Sequence, residues 1–456
     1  MGLWPWSKAP DPLRKLREPV ERHLAINLAD AQSVAHDIRP IERVNLQRVI
    51  DRWVDESAPP ARVFGYTATG YFGDDGLIKY LITDELIQAP VERAWVPSGP
   101  GETLDCTTRG LYLLHRDGRP VALAFRPARF ISDLPVLEVV AATRAAARDT
   151  LAALLDQAQR DNVYKGRTLT LEPSGSWREG FSIRFHELRS TPRDQIVLPD
   201  EVLQVVERNV LGMLRHAGTL RAAGRSLRRG LLLHGPPGTG KTLLVRYLAG
   251  VCTGHTVILL TGGHQGLIRE ACQVARLLAP SIVALEDVDL VAEDREHNRA
   301  PSVLNDLLNE MDGLADRAEV TFLLTTNRPE VLEPALSARP GRVDQAVAVP
   351  LPDANGRRRL FEVYGRGLDL SAVDLGRWVA QTDGVSPAFI EELLRKAVLM
   401  AAERGETGDP LRVQDGDIQS AIRELVYFGG ELTQKLLGYR TGRIGYQTTP
   451  TTGPGA

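Results

Sequence analysis

Two short stretches set chemistry-bearing residue types at fixed spacings. "GLLLHGPPGTGKT" (230–242) places Gly235, Gly240, Lys241 and Thr242 in the order G-x-x-x-x-G-K-[ST], after an apolar run and ahead of "LLVRYLAG". Glycines let backbone N–H groups curl around phosphate oxygens, and the N-terminus of the following helix adds partial positive charge. Lys241 can reach outer phosphates, and the Thr242 hydroxyl can ligate Mg²⁺. Pro236, Pro237, Gly238, Thr239 and Leu243 complete the nucleotide-binding set. The second stretch, "IVALEDVDL" (282–290), runs from an apolar segment too short for a helix into Glu286, Asp287 and Asp289. A strand ending near a phosphate loop can deliver one acid to Mg²⁺ and the next to the attacking water. The strand register puts Glu286 at the metal and Asp287 at the water. Asp is a methylene shorter than Glu, so this base must come closer or act through a second water. Near-attack geometry is sensitive to about 1 Å, which predicts a functional but slow reaction.

The elements that must position these residues follow from periodicity. The runs "GLLLH", "TVILL", "SIVALE", "VTFLLTT" and "AVAVP" alternate with helical segments, as in a parallel, helix-covered sheet. Residues 355–425 read as pure helix, with "GRRRLFEVY" and "PAFIEELLRKAVLMAAER". Upstream, residues 12–56 carry apolar residues at helical spacing, predicting one or two amphipathic helices broken near Pro19 and Pro40. Residues 63–135 hold short β-type runs, and "HRDGRP" between two apolar runs predicts a hairpin. An Ala/Arg-rich helix is expected over about 136–160 and another over about 201–216. "QTTPTTGPGA" is expected to be a disordered tail.

Composition is that of a soluble globular protein of about two or three domains: 456 residues, 43% hydrophobic and 25% charged. A formal net charge of −3 gives no reason to expect non-specific nucleic-acid binding. Cys106, Cys252 and Cys272 form neither a disulfide framework nor a metal-spacing pattern, which suits a reducing, cytoplasmic location. There is no apolar run long enough to span a membrane, and "MGLWPWSKAPDP" lacks the apolar core of a secretory signal.

Over roughly residues 185–425 the sequence resembles the AAA+ ATPases, and within them the classical AAA clade. "GPPGTGKT" looks like the family's Walker A segment and "APSIVALEDVD" like its Walker B. "LLNEMDGL" matches the helix that follows. "TTNRPEVLEPAL" is similar to the sensor 1 segment, which implies that Asn327 lies near the γ-phosphate. "ARPGRVD" is similar to the segment carrying the arginine fingers, matching Arg339 and Arg342. The preceding spacing is a residue longer than usual, so which of the two is the finger stays open. "DGVSPAFIEELLRKA" resembles the segment closing over adenine, with Gly384 and Ser386 at its turn. The resemblance implies ATP and Mg²⁺ as cofactors. It further implies a P-loop AAA+ module, α/β in class: a parallel five-stranded sheet covered by helices, with a helical lid. An α+β N-terminal domain precedes it. The expected division is 1–58 helical segment, 59–195 α+β adaptor domain, 196–352 large α/β subdomain, 353–430 helical lid and 431–456 tail.

The family's usual Walker B order is Asp then Glu, reversed here. The loop "TGGHQG" offers only His264 where protein-threading relatives carry an aromatic pore residue. These departures, with the lead-in "RRGLLLHGPPGTGKT", are similar to the mitochondrial Bcs-type AAA chaperones, whose transmembrane helix this sequence lacks. There is no H-E-x-x-H, the zinc-protease motif.

An arginine supplied in trans makes hydrolysis depend on assembly. The first expectation is therefore an ATP-driven homo-oligomeric ring, hexameric or else heptameric, that remodels, disassembles or chaperones protein clients engaged through the N-terminal domain. A nucleotide-controlled assembly switch with little turnover is the alternative. A nucleic-acid motor or loader has least support, because the net charge is acidic and there is no reader module.

Overall fold

The computed structural model describes residues 15–68, 75–127, 134–174, 180–187, 191–227, 229–261, 265–289, 303–312, 319–332 and 343–428. Packing divides the chain into two units, Met1–Glu187 and Leu188–Ala456.

The first unit is built on an antiparallel sheet of β1 (Gln32–Asp37), β2 (Arg62–Ala68), β3 (Leu86–Ala89), β4 (Glu92–Gly99), β5 (Glu102–Arg116), β6 (Arg119–Arg126) and β7 (Val136–Ala141). Its order is β1-β7-β6-β5-β2-β3, with β4 paired to β5 alone. Strand β5 is long enough to serve three partners, β2 lying across its second half from β6 (Val63 opposite Tyr112). Its first half pairs with β4 (Ala94 opposite Cys106), its second with β6 (Leu113 opposite Ala122). The predicted hairpin turns at Asp117 and Gly118, both at positive φ, the two-residue turn favoured by Asp-Gly.

Both faces of this sheet are buried, which explains the continuous apolar run of β5. Tyr112 and Leu114 share a core with Ile50, Trp53 and Leu154 from helices Pro40–Glu56 and Arg144–Arg160. Leu111 and Leu113 point the other way, into a core with Val20 of helix Arg17–Leu24 and Leu77 and Leu81 of helix Leu77–Ile82. A hairpin of β8 (Thr168–Pro173) and β9 (Phe181–His186) ends the unit.

Three expectations change here. Residues 136–141, "VLEVVA", form a fully buried strand, and the helix starts only at Arg144, where Thr143 Oγ1 accepts the Ala146 N–H. Burial on both faces and β-branching favour the strand. Residues 32–37, within the segment read as helical, pair with β7. Among the described residues of the segment expected to stand apart at 1–58, Ile50 and Trp53 are part of the sheet's own core.

The second unit begins after Glu187. Helix Asp200–Glu207 widens into a π-helical turn, Arg208–Gly212, where a single helix over 201–216 was expected. Strands β10 (Arg229–His234), β11 (Thr256–Leu260), β12 (Ser281–Leu285), β13 (Val320–Thr326) and β14 (Gln345–Ala348) then pair in parallel in the order β14-β10-β13-β12-β11. Helices Lys241–Val251, Ile268–Leu277 and Val303–Asp312 lie between successive strands. Strands buried on both faces need no alternation, hence runs such as SIVAL.

Residues 354–423 form four helices, Ala354–Tyr364, Leu375–Gln381, Pro387–Glu403 and Asp415–Arg423, around Phe361, Trp378, Phe389, Leu393 and Ile418. The region is not purely helical: β15 (Leu368–Ala372) and β16 (Leu411–Gln414) pair in parallel. Among the described residues no helix is long and apolar enough to cross a membrane.

Candidate active site

The phosphate loop springs from β10, which is paired on both sides, by β13 and β14. Its first residue has no room for a side chain. A Cβ on Gly235 would lie 2.3 Å from the Val349 carbonyl oxygen, while the Gly235 N–H donates to Thr326 O at 3.3 Å. Gly238 and Gly240 sit at φ 74° and 94°, a backbone open to glycine and strained for other residues. Within the loop, Thr239 Oγ1 donates to Pro236 O (2.9 Å). The Lys241 ammonium donates to the carbonyls of Gly235 (2.9 Å) and Pro236 (2.8 Å). Lys241 is buried. Desolvation lowers its pKa, against an opposing pull from Asp287 and Asp289. An ammonium that satisfies itself on loop carbonyls is poised to exchange them for phosphate oxygens.

Strand β12 delivers the carboxylates. The Glu286 N–H donates to Leu260 O (3.0 Å), and the Thr242 hydroxyl lies near enough to the Glu286 carboxylate to favour its ionised form. Burial, with repulsion from Asp287, raises the Glu286 pKa despite the opposing pulls of Arg246 and Thr242. A divalent cation would relieve both causes. One carboxylate and one hydroxyl are an incomplete shell for most metals. They suit Mg²⁺, which keeps several waters and binds nucleotide phosphates. The residues present therefore fit the ion.

Asp287 takes a left-handed conformation (φ 51°), uncommon for a residue with a side chain. Its N–H donates to Thr325 Oγ1 (3.0 Å), and its Oδ1 accepts from Asn327 Nδ2 (3.0 Å). The strained backbone turns the carboxylate toward β13, and Asn327 fixes its orientation. Asp289 has a different position. It is buried and accepts from Thr326 Oγ1 (2.8 Å) and the Asn327 N–H (3.2 Å), pinning the end of β13 to the end of β12. Sequence reasoning left Asp289, Thr325 and Thr326 without roles. The signal was the "TTN" triplet at the end of a strand, which sets hydroxyls beside neighbouring acids.

The loop also touches helix Pro387–Glu403. A Cβ on Gly238 would lie 2.9 Å from Ser386 Oγ, and the Ala388 N–H donates to Gly238 O (3.2 Å). Ser386 caps that helix by accepting the Phe389 N–H (3.2 Å), and Gly384 turns at φ 76° just before it. Pro387 lines a cavity of about 160 Å³ with Val197, Leu198, Pro199, Pro352 and Asp353. Behind it the buried Arg357 donates to Val379 O and Pro352 O, both at 3.0 Å, and pairs with Asp383 (3.1 Å). The sequence had shown Arg357 only as part of a helix. Arg339, Arg342 and His264 lie outside the described residues.

Fold and site define a P-loop nucleotide-binding protein. Residues 231–351 match the family described as "ATPase family associated with various cellular activities (AAA)". Curated relatives include the ATP-dependent zinc metalloprotease FtsH 1 of Sphaerobacter thermophilus, 37% identical over 222 residues, which are 45% of this chain and 33% of the relative. The FtsH of Nitrosococcus oceani is 34% identical over 254 residues, 51% of this chain and 39% of the relative. That of Synechococcus is 33% identical over 287 residues, 58% and 44% respectively. The chain thus spans less than half the length of these relatives. It carries an AAA ATPase domain, whose chemistry is ATP hydrolysis with Mg²⁺.

Proposed function

We propose that the chain is a ring-forming ATPase that converts ATP hydrolysis into the remodelling, disassembly or chaperoning of protein partners. The observation that carries this reading is the set of side chains gathered at the ends of β10, β12 and β13. In this reading Lys241 would hold the outer phosphates, Thr242 and Glu286 would hold Mg²⁺ and Asp287 would take the water. Asn327 holds Asp287 in place. Mg²⁺, when bound, offsets phosphate charge and fixes the triphosphate against the loop. The backbone N–H groups of 238–242, which follow the two prolines, would bind the phosphates. Asp287 orients the attacking water and accepts its proton at Oδ1 or Oδ2, while Asn327 keeps that carboxylate aimed. Arg339 or Arg342 from a neighbouring copy would stabilise charge in the transition state, which is why the proposal requires a ring, a hexamer in the first instance and a heptamer as the alternative.

Residues 196–352 act in this reading as the large subdomain and 353–430 as the lid. Gly384 and Ser386 close over the base, and the direct contact of Gly238 with Ser386 and Ala388 supports it. Residues 59–195, with 15–58 packed into the same unit, serve as the client-docking adaptor in the cytoplasm, and the tail 431–456 lies outside the described residues. The Glu-Asp order supports kinship to the Bcs-type chaperones. A second reading, a nucleotide-controlled assembly switch with little turnover, draws on the shorter Asp287 side chain.

The test is Asp287→Asn. The variant is expected to bind ATP, to hydrolyse it at least about a hundredfold more slowly, and to retain a partner through purification. Normal hydrolysis would remove Asp287 from the role. Wild-type assembly on ATP with negligible turnover would favour the switch.

A further inference from the structure

The first unit holds a cavity that the nucleotide chemistry does not use. It measures about 290 Å³ and is walled by apolar residues of helix Pro40–Glu56, β4, β9 and the chain at 134–135, with Tyr164 among them. Trp95 lies on its rim, 71% exposed, the most exposed of the large apolar side chains among the described residues. With the apolar lining beside it, Trp95 extends a continuous apolar patch of the kind that marks a docking site.

The charge in this cavity has one sign. Arg39 and Arg43, a helical turn apart, line it, and there is no carboxylate among the lining residues. Arg39 is neutralised by Glu42, which also receives the Arg39 N–H (2.9 Å). Arg43 is half-buried and has no hydrogen-bond or ion-pair partner among the described residues. An arginine lining an apolar recess with no carboxylate paired to it offers its guanidinium to an incoming carboxylate.

Backbone geometry adds a third constraint. Consecutive residues of β4 (94–97) and of β9 (181–183) line the cavity. A strand's face would show only alternate residues, so the cavity opens on strand edges. Strand β4 pairs only with β5, and within its unit β9 pairs only with β8. An extended chain entering here would find main-chain donors and acceptors, an apolar recess and one cation.

We infer that this groove docks an extended segment of a protein partner carrying an acidic side chain beside a large apolar one. The inference rests on the client-docking role proposed for the first unit. A small carboxylate would leave the strand edges unused. A nucleic-acid strand needs a track of cations, and the groove offers one free guanidinium.

The test measures binding of fluorescein-labelled peptides GSDFDLGS, GSNFNLGS and GSKFKLGS to the full chain, with an oligo-dT strand as competitor. The acidic peptide should bind at least about tenfold more tightly than the basic one, with the neutral one between. Arg43→Glu should reverse that preference while leaving the melting temperature and basal ATP turnover unchanged, and Trp95→Ser should weaken all three peptides. Equal binding of the three, an Arg43→Glu variant indistinguishable from wild type, or displacement by oligo-dT would overturn the assignment. Remodelling is read separately, as ATP-dependent loss of structure in a captured partner. Failure there with peptide binding intact refutes the remodelling and leaves the groove.

Discussion

At Asp287 a single carboxylate is held by three separate devices: a left-handed backbone, an N–H to Thr325 and an amide from Asn327. The backbone cost is on the order of 1–2 kcal/mol, and it is tolerated because the two hydrogen bonds act on the same residue. If Asn327 positions Asp287, then Asn327→Ala should lower turnover by about tenfold or more while leaving ATP affinity near wild type, as single-turnover rates and nucleotide titrations would show. Equal loss of affinity and rate would make Asn327 a binding residue instead. Glu286 makes a pH prediction. Burial and Asp287 raise its pKa, so the ionised form that would hold the cation is lost earlier as pH falls than for an ordinary Glu. Mg²⁺ affinity should therefore weaken on mild acidification, and Glu286→Gln should be weak at every pH, which isothermal titration at several pH values would reveal. Residue types and their order were legible in "EDVD", since the chemistry needs acids beside a phosphate loop. The division of labour was not. Only folding shows that Asp289 points back at Thr326 and holds two strand ends together.

At the scale of elements, the boundaries that went unread share a cause. Periodicity over a short apolar run does not separate a buried strand from a buried helix face, so 136–141 and 32–37 had to be decided by pairing with each other across β7 and β1. Where a local code exists the sequence was sufficient: Asp117-Gly118 for the hairpin and Ser386-Pro387 for the start of a helix. Caps also carry pH dependence. Glu42 closes a capping box on helix Pro40–Glu56. Although burial pushes its pKa up, hydrogen bonds from His36 and Arg39 outweigh this and hold it at about 2. A depressed carboxyl stabilises the fold above its unfolded value of about 4.3, and that contribution is lost as pH falls toward the folded value. Glu42→Gln should thus cost on the order of 3 kcal/mol at neutral pH, and the gap to wild type should close between about pH 4.5 and 2 in denaturant titrations. A gap that does not depend on pH would mean that the loss is packing rather than charge.

At the scale of the whole molecule, the two units separate what the sequence could say from what it could not. The second is dense with residues whose spacing is dictated by phosphate and Mg²⁺ geometry, so its motifs were legible before its fold. The first is held by two apolar cores on one sheet, a form of order that many sequences satisfy and that leaves no chemical signature. Its groove became visible only once β4, β9 and Arg43 were brought together. The motor proposal requires one property beyond a single chain: the site is incomplete without an arginine from a neighbour. Turnover per chain should therefore rise steeply with protein concentration and reach a plateau once rings form. Arg339→Ala and Arg342→Ala each preserve the chain's own Lys241, Glu286 and Asp287. The variant that removes the finger should bind ATP normally, assemble, and hydrolyse it about a thousandfold more slowly. Mixing it with Lys241→Ala chains gives the discriminating measurement. Each variant is inactive alone, yet interfaces that pair an intact arginine with an intact phosphate loop should restore part of the activity. No recovery in mixtures shown to co-assemble would mean that each chain completes its own site, and the requirement for a ring would fall.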